Sequence, residues 1–237
     1  MALKFDIVTL FPDFFDSPLR QSLLAKSLEN GRVKVNLVNL RDFSGLPHHQ
    51  VDDRPYGGGA GMVLRADILA KAVKTLKTPH SQVILLDPSG TPLQQKLASQ
   101  LALAKHLILV CGRYEGVDQR FIDQYVDLSI SIGDYVLNGG EVASLVLLEA
   151  IARLQAGFVG NRSSLEAESF QTQETSQGKL QLLDYPHYTR PEKFEELSVT
   201  EVLTSGDHQK IASWRQQKSL ELTKKLRPDL LAKKWTS

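Results

Sequence analysis

The sequence contains very little cysteine: Cys111 is the only one in 237 residues. A single thiol can form neither an internal disulfide nor a thiolate cage for a metal, and we interpret it as typical of a reducing compartment. No run of about 18 apolar residues is present, the length that a membrane-spanning helix requires. The first residues also lack the long apolar stretch of a signal peptide. These absences predict a cytoplasmic protein with no membrane partner.

An excess of charge of one sign is also absent. The 28 Lys and Arg residues nearly balance the 27 Asp and Glu residues, which leaves a net charge of +1 and no global field that would attract nucleic acid. Residues 205–237 are the local exception, with eight basic and three acidic residues. On a helical wheel Trp214, Arg215 and Lys218 share one arc. We interpret Trp214 as a core residue and the basic side chains as RNA contacts.

The familiar nucleotide-binding motifs are missing as well. No G-x-G-x-x-G opens a helix, since Met62 stands where the third glycine would follow Gly57 and Gly59, and no P-loop motif is present. A dinucleotide-binding dehydrogenase, a P-loop NTPase or another nucleotide-binding α/β domain is therefore poorly supported. The adjacent His48 and His49 have no further spaced ligands, so no metal site is predicted.

The chain does contain a regular alternation of short apolar runs and helical patterns up to about residue 157. Such alternation predicts an α/β domain with a mostly parallel sheet over residues 1–157. Residues 158–178 are polar and aperiodic and predict a linker, while 179–237 predict a small helical domain. The predicted strands are Phe5–Leu10, Val33–Leu40, Val83–Leu86, Leu107–Cys111 and Val126–Ile130; the predicted helices lie near 18–29, 65–76, 92–104, 118–124 and 141–155.

Nine of the 16 glycines fall in three loops, at 57–61, 112–116 and 133–140. The second and third loops follow predicted strands, and Asp87–Gly90 forms another tight turn after a strand. Open parallel sheets bind ligands outside the carboxyl ends of their strands. These three strand-end turns could be simple strand-to-helix connections, but side by side they predict one ligand pocket built of backbone N–H and C=O groups.

Four strings carry a resemblance, three at these loops and one near the C-terminal end: Val51–Gly59, Val110–Gly116, Ser131–Leu137 and Tyr185–Pro191. In sequence and order they resemble the bacterial tRNA (guanine-N1)-methyltransferase family, and the resemblance covers essentially the whole chain. It implies a SPOUT-class α/β domain with a trefoil knot, a small all-α C-terminal domain and a homodimer. The pattern of residues alone does not indicate a knot, because true knots are rare.

The resemblance implies transfer of a methyl group from S-adenosylmethionine to N1 of guanosine 37 of tRNA, in the anticodon stem-loop. N1 carries a proton, so the reaction needs a general base near N1 and a cationic donor near O6. The string around Glu168 matches the family's base, an aspartate there, and Arg153 matches its catalytic arginine. Glu166 is the alternative base, and Arg153 could instead form a surface pair with Glu149. The change at Glu168 also leaves open an RNA-binding protein without catalysis.

The resemblance further assigns residues to the cofactor and to tRNA, and it leaves open an assisting divalent cation such as Mg²⁺. Asn138 and Glu141 have the spacing of a helix N-cap and its N3 partner, which predicts a helix start there. The implied cofactor-binding residues are Pro88, Gly90, Gly112, Tyr114, Glu115, Ile132, Gly133, Asp134, Tyr135, Val136, Leu137, Gly139 and Gly140. The implied tRNA-binding residues are Asp52, Arg54, His187, Arg215 and Lys218.

Overall fold

The computed structural model describes residues 2–158, 168–175 and 178–232. The chain divides into two compact units, Met1–Gly160 and Asn161–Ser237, and each is described by itself. No helix within the described ranges is long and apolar enough to cross a membrane.

The first unit is built on a parallel sheet, as the apolar runs predict. Its strands are β1 (Leu3–Thr9), β2 (Val33–Asn39), β3 (Asp52–Asp53), β4 (Val63–Leu64), β5 (Ser81–Pro92), β6 (His106–Cys111) and β7 (Leu128–Ser131). Five of them form the main sheet in the order β2-β1-β6-β5-β7, with every pair parallel. The short β3 and β4 pair with each other in antiparallel fashion. The prediction of a mostly parallel sheet is confirmed.

Helices cover both faces of this sheet. They are α1 (Asp16–Leu19), α2 (Ser22–Glu29), α3 (Ala66–Leu76), α4 (Gln95–Leu101), α5 (Gln119–Tyr125) and α6 (Gly140–Ala152). One apolar core contains residues of α2, α4 and α6, and a second core on the other face contains residues of α3 and α5. The helix predicted at 18–29 is interrupted at Ser22, whose φ of 59° is incompatible with a continuous helix.

Strand β5 is longer than the predicted Val83–Leu86. Its pairing with β7 shifts register after Leu86 and resumes at Thr91, so the predicted turn at 87–90 is a bulge within the strand. The backbone N–H of Ser89 donates to Asp87 Oδ1 at 2.8 Å and stabilises this bulge. The irregularity lies at the carboxyl edge of the sheet, beside the ends of β6 and β7.

The second unit is not purely helical, so that prediction was wrong. Its helices are α7 (Glu201–Thr204), α8 (His208–Leu226) and α9 (Asp229–Ala232), and its antiparallel hairpins join β8 (Thr172–Thr175) to β9 (Gly178–Gln181) and β10 (Lys193–Phe194) to β11 (Leu197–Ser198). The hairpins are polar or only two residues long, so they carry no alternating apolar pattern. Within the predicted linker, β8 forms a strand, while 159–167 and 176–177 lie outside the described residues.

A buried carboxylate connects three strands at the amino end of the sheet. Asp6 is fully buried, and its oxygens accept hydrogen bonds from His106 Nε2 at 2.6 Å and Asn36 Nδ2 at 2.9 Å. Lys4 Nζ lies 2.7 Å from the same carboxylate, and the other ring nitrogen of His106 lies 2.7 Å from Ser81 Oγ. Buried charges persist in proteins only when they are paired in this way.

We expect His106→Ala to lower the free energy of unfolding by about 2 kcal/mol, because it removes a charge-assisted hydrogen bond from a carboxylate that remains buried. Chemical denaturation followed by circular dichroism measures this loss. His80→Ala is the matched control, since His80 is exposed, and its unfolding midpoint should hardly move. Equal effects of the two substitutions would contradict a stabilising role for the network.

Candidate active site

Three loops meet in one pocket at the carboxyl ends of β5, β6 and β7. They are the bulge after Leu86, the loop after Cys111 and the segment between β7 and α6. The residues that line the pocket are Leu86, Asp87, Pro88, Gly112, Arg113, Tyr114, Glu115, Gly116, Ile130, Ser131, Ile132, Gly133, Tyr135, Val136, Leu137, Asn138, Gly139, Gly140 and Ala143. The glycine-rich strand ends therefore form a single concave site, as the sequence predicts.

Eleven of the thirteen residues assigned to the cofactor by resemblance line this pocket. Gly90 does not, because it packs against the backbone of Ser129 and Ile130 in β7. Asp134 is exposed and outside the lining. Arg113 and Asn138 also line the pocket, although neither was assigned to it from the sequence. Each stands between two assigned residues in the sequence, and this position could have indicated that they line the pocket.

The loop after β6 has an unusual backbone conformation. Tyr114 has a φ of 59°, in the left-handed region that side chains seldom adopt. The next residue, Glu115, donates its N–H to the carbonyl of Met62 at 3.0 Å, and Leu64 donates to the carbonyl of Gly116 at 3.0 Å. These bonds hold the exposed carboxylate of Glu115 at the rim of the pocket. Strained residues of this kind are concentrated at functional sites.

Gly140 is required for close packing of α6 against the end of β6. Its N–H donates to the carbonyl of Gly112 at 2.9 Å. A Cβ atom at this position would lie 2.7 Å from Cys111 Cα and 3.0 Å from Gly112 N. The missing side chain therefore makes room for protein backbone, and not directly for a ligand.

The thiol of Cys111 lies under the pocket and is unreactive. Burial raises the pKa of this thiol well above its ordinary range, and the nearby carboxylate of Glu141 raises it further. The sulfur lies 3.1 Å from Ser144 Oγ. Because only the thiolate is a good nucleophile, Cys111 is a packing residue at neutral pH.

Glu141 does not serve as the predicted capping partner of Asn138. Helix α6 begins at Gly140, with Gly139 as its N-cap residue, and the side chain of Glu141 is buried beneath the loop. Its Oε1 accepts a hydrogen bond from Thr9 Oγ1 at 2.7 Å, and its Oε2 lies 2.8 Å from Arg113 Nη2. The capping prediction was wrong because these tertiary partners draw the carboxylate inward.

The two residues assigned to catalysis lie in different units. Arg153 is the C-cap residue of α6 and is half-buried. Glu168 is half-buried in the second unit, and its carbonyl accepts from Gln171 N at 3.3 Å. The following residues are held in place, since Asp184 N donates to Ser169 Oγ at 2.9 Å and Phe170 N donates to the carbonyl of Leu182 at 2.9 Å. Glu166 lies outside the described residues.

Asp52 and Arg54 lie at the base of the loop that joins β3 to β4. Asp52 is half-buried and Arg54 is exposed. The same loop presents Tyr56, which is 96% exposed. The bonds from this region to Glu115 and Gly116 hold the loop beside the pocket. An aromatic ring at this level of exposure offers a flat stacking surface to a ligand.

The second unit brings His187 and Arg215 together around Tyr185. The Arg215 guanidinium carbon lies 4.8 Å from the centre of the Tyr185 ring, and the His187 ring lies 4.6 Å from the same ring. Trp214 is only half-buried, and its ring lies 6.2 Å from that of Tyr188. It is therefore not the fully buried core residue that the sequence predicts. The cluster combines positive charge with aromatic faces, as single-stranded nucleic acid requires.

The three acidic residues after 205 all pair with basic residues. Each ion pair is short and lies on the surface: Lys210 with Asp207 at 3.2 Å, Lys218 with Glu221 at 2.7 Å and Arg227 with Asp229 at 2.8 Å. Lys218 therefore offers less net charge to RNA than the sequence suggests. The local excess of positive charge comes from other residues, such as Arg215, Lys224 and Lys225.

No group of three or more His, Cys, Asp or Glu side chains that could hold a metal ion occurs among the residues that the structure describes. The polar groups of the pocket are backbone amides and the side chains of Asp87, Arg113, Tyr114, Glu115, Ser131, Tyr135 and Asn138. Such a site suits an organic ligand with both apolar and charged parts.

The sheet and its pocket define an α/β protein with a concave site at the carboxyl ends of parallel strands, the place where open parallel sheets bind ligands. The family described as tRNA (Guanine-1)-methyltransferase TrmD matches residues 3–233, and the chain belongs to this family. The tRNA (guanine-N(1)-)-methyltransferase of Carboxydothermus hydrogenoformans is 48% identical over 97% of this chain and 87% of the relative. The enzymes of the same name from Protochlamydia amoebophila and Synechococcus elongatus are 48% and 49% identical over 96% of this chain, and over 99% and 94% of the relatives.

Proposed function

We propose that this protein methylates N1 of guanosine 37 in tRNA, with Glu168 as the general base and Arg153 as the cationic donor to O6. Its family membership carries the reaction class: the chain is an S-adenosylmethionine-dependent tRNA (guanine-N1)-methyltransferase. The proposed location of the active site rests on the convergence of three strand-end loops in one pocket. The position in tRNA and the residue roles are the part that experiment must test.

The lining of the pocket fits S-adenosylmethionine. Ile132, Val136 and Leu137 offer apolar surface for an adenine ring, and the backbone groups of the glycine-rich loops can bond its edges. The carboxylate of Glu115 can attract a cationic sulfonium or ammonium group. When bound, the cofactor supplies an electrophilic methyl group, and the protein supplies its orientation.

Removal of the N1 proton is the step that the protein must assist. As the proton leaves, negative charge develops on O6, so a carboxylate near N1 and a guanidinium near O6 act on the same guanine. Glu168 has one more methylene than the aspartate of the family, and the bonds to Ser169 and Phe170 hold the backbone beside it. The anticodon loop provides a guanine that is already unpaired, so its Watson–Crick edge is accessible.

The proposed active unit is a homodimer. Helix α6 carries exposed Val142 and Val146 one turn apart, and it packs against the turn that presents Phe14 near exposed Phe11. These four side chains are 43% to 45% exposed. A patch of large apolar side chains of this kind is typical of a surface that associates with a partner, and a two-fold dimer is the simplest assembly that would cover it.

If Arg153 and Glu168 at one site come from different protomers, two inactive variants should complement each other. We expect mixtures of Arg153→Ala and Glu168→Ala protomers to recover up to about a quarter of wild-type activity, because half the dimers are mixed under random exchange and one of their two sites is intact. Differently tagged subunits and tandem purification give the mixed dimers. Verified mixed dimers without activity would contradict the shared site.

The knot implied by the resemblance is also part of the proposal. The segment after β7 passes back against the loop after β6, where Arg113 pairs with Gly139, and α6 then packs on β1, β5 and β6. These contacts support a chain that is threaded near the pocket.

We place the protein in the cytoplasm, where its tRNA substrate is found. A Mg²⁺ requirement is tested by adding a chelator to the methylation assay.

Calorimetric titration tests the identity of the cofactor. We expect S-adenosylmethionine and S-adenosylhomocysteine to bind and ATP to bind at least about a hundredfold more weakly, because the loops form no phosphate cradle of the P-loop type. Binding of ATP with equal or higher affinity would contradict the assignment and favour another nucleotide-dependent function.

A further inference from the structure

A buried ion pair beneath the pocket has no part in the chemistry proposed above. Glu141 is 1% exposed and Arg113 is 20% exposed in their side chains, and their closest atoms lie 2.8 Å apart. The remaining carboxylate oxygen, Oε1, accepts from Thr9 at the end of β1. Burial of a charged pair is costly unless its geometry is well fixed, so the position of this pair beside a ligand pocket needs a physical reason.

Arg113 makes contacts with several elements that form the pocket. Its Nη1 donates to the carbonyl of Asn138 at 3.2 Å, and its Nη2 faces Glu141 at the start of α6. Its guanidinium carbon lies 4.4 Å from the centre of the Phe11 ring, just after β1. A Cβ atom on Gly139 would collide with the Arg113 side chain. One guanidinium therefore joins the loop after β6 to β1, to the β7–α6 segment and to α6.

We infer that Arg113 and Glu141 are positioning residues that hold the segment 132–140 in its ligand-binding shape. The segment supplies most of one wall of the pocket, and backbone groups hold its last two residues to the neighbouring loop, through the bond from Gly140 to Gly112 and the isolated bridge between Gly139 and Arg113. The guanidinium adds a side-chain connection at Asn138. The identity of the ligand rests on the proposed function, whereas the shape of the segment does not.

The geometry explains why an arginine occupies position 113. A guanidinium is a planar fork that can donate to a carbonyl, face a carboxylate and stack on an aromatic ring at the same time. A lysine at this position carries the same charge but has a single ammonium group. It can pair with Glu141, but it cannot also reach Asn138 and stack on Phe11.

Hydrogen–deuterium exchange of the protein without cofactor tests the inference directly. We expect Arg113→Lys and Glu141→Gln to speed exchange at the amides of 132–140 about tenfold, while the central strands β1 and β6 remain protected. Arg120→Lys is the matched control, since Arg120 forms a forked pair with Asp118 on the surface. Its exchange in 132–140 should equal that of the wild type.

The same variants should bind S-adenosylmethionine about tenfold more weakly, because Arg113→Lys loses the charge-assisted bond to Asn138 and Glu141→Gln loses the ion pair that orients the guanidinium. Their affinity for tRNA without cofactor should change less than twofold. A lower melting temperature with unchanged cofactor affinity and unchanged exchange at 132–140 would show a structural pair only and overturn the inference. If the wild type bound no S-adenosylmethionine, the proposed function would fail, while the exchange result would still decide whether the pair holds the segment.

Discussion

Glu168→Gln should lower the rate of methyl transfer by roughly two to four orders of magnitude, the range expected for loss of a general base. The glutamine is nearly isosteric with Glu168 but cannot accept the N1 proton. Affinity for S-adenosylmethionine should hardly change, because the side chain acts on the tRNA base. Single-turnover kinetics with labelled cofactor measures the chemical step apart from product release.

Two further substitutions show whether the carboxylate at 168 is the base. Glu168→Asp introduces the aspartate that the resemblance implies at this position and should retain substantial activity, with some loss from the shorter reach. Glu166→Gln should be nearly neutral. Higher pH should partly restore Glu168→Gln, because solvent then removes the N1 proton more readily. An inactive Glu166→Gln together with an active Glu168→Gln would place the base two residues earlier.

Gly140→Val should abolish detectable binding of S-adenosylmethionine. A side chain at 140 meets the backbone of Cys111 and Gly112, with its Cβ 2.7 Å from Cys111 Cα. Backbone cannot move aside as a flexible side chain can, so α6 and the loop after β6 must separate. This separation displaces two of the three loops that form the pocket. Calorimetric titration measures the binding, and thermal melting should show lower stability as well.

Gly45→Ala provides the control for Gly140. No atom lies within 4 Å of a Cβ atom built on Gly45, and its backbone is not in the left-handed region. The substitution should therefore leave both cofactor affinity and melting temperature unchanged. If Gly140→Val bound the cofactor as tightly as Gly45→Ala, close packing of α6 against β6 would not be needed for the pocket.

The sequence predicts the first unit well because its apolar residues are strongly buried and follow regular patterns along the chain. Strands such as His106–Cys111 are buried along their whole length, so they appear as continuous apolar runs. The order of the strands in the sheet is harder to predict from the sequence, since it depends on pairing between residues far apart in the chain. The pocket was predicted because glycine clusters follow strands whose carboxyl ends must share an edge of the sheet.

The failures have specific causes. Glu141 has the spacing of a capping residue, and only the fold brings Thr9 and Arg113 close enough to bury its carboxylate. The hairpin of β8 and β9 consists mainly of polar residues, so periodicity gives no signal for it. The roles of Glu168 and Arg153 come from the resemblance, because a glutamate in a polar segment and an arginine near a helix end are ordinary surface residues.

Mapping the methyl group in tRNA tests the central claim most directly. Purified protein would be incubated with S-adenosylmethionine and an unmodified tRNA transcript that carries G37, then the RNA would be digested and its fragments analysed by mass spectrometry. We predict one methyl group, on N1 of guanosine 37, and none in a matched transcript with A37. Cofactor and tRNA binding without methyl transfer would indicate an RNA-binding protein that lacks catalysis, and a methyl group at another nucleotide would contradict the proposed target.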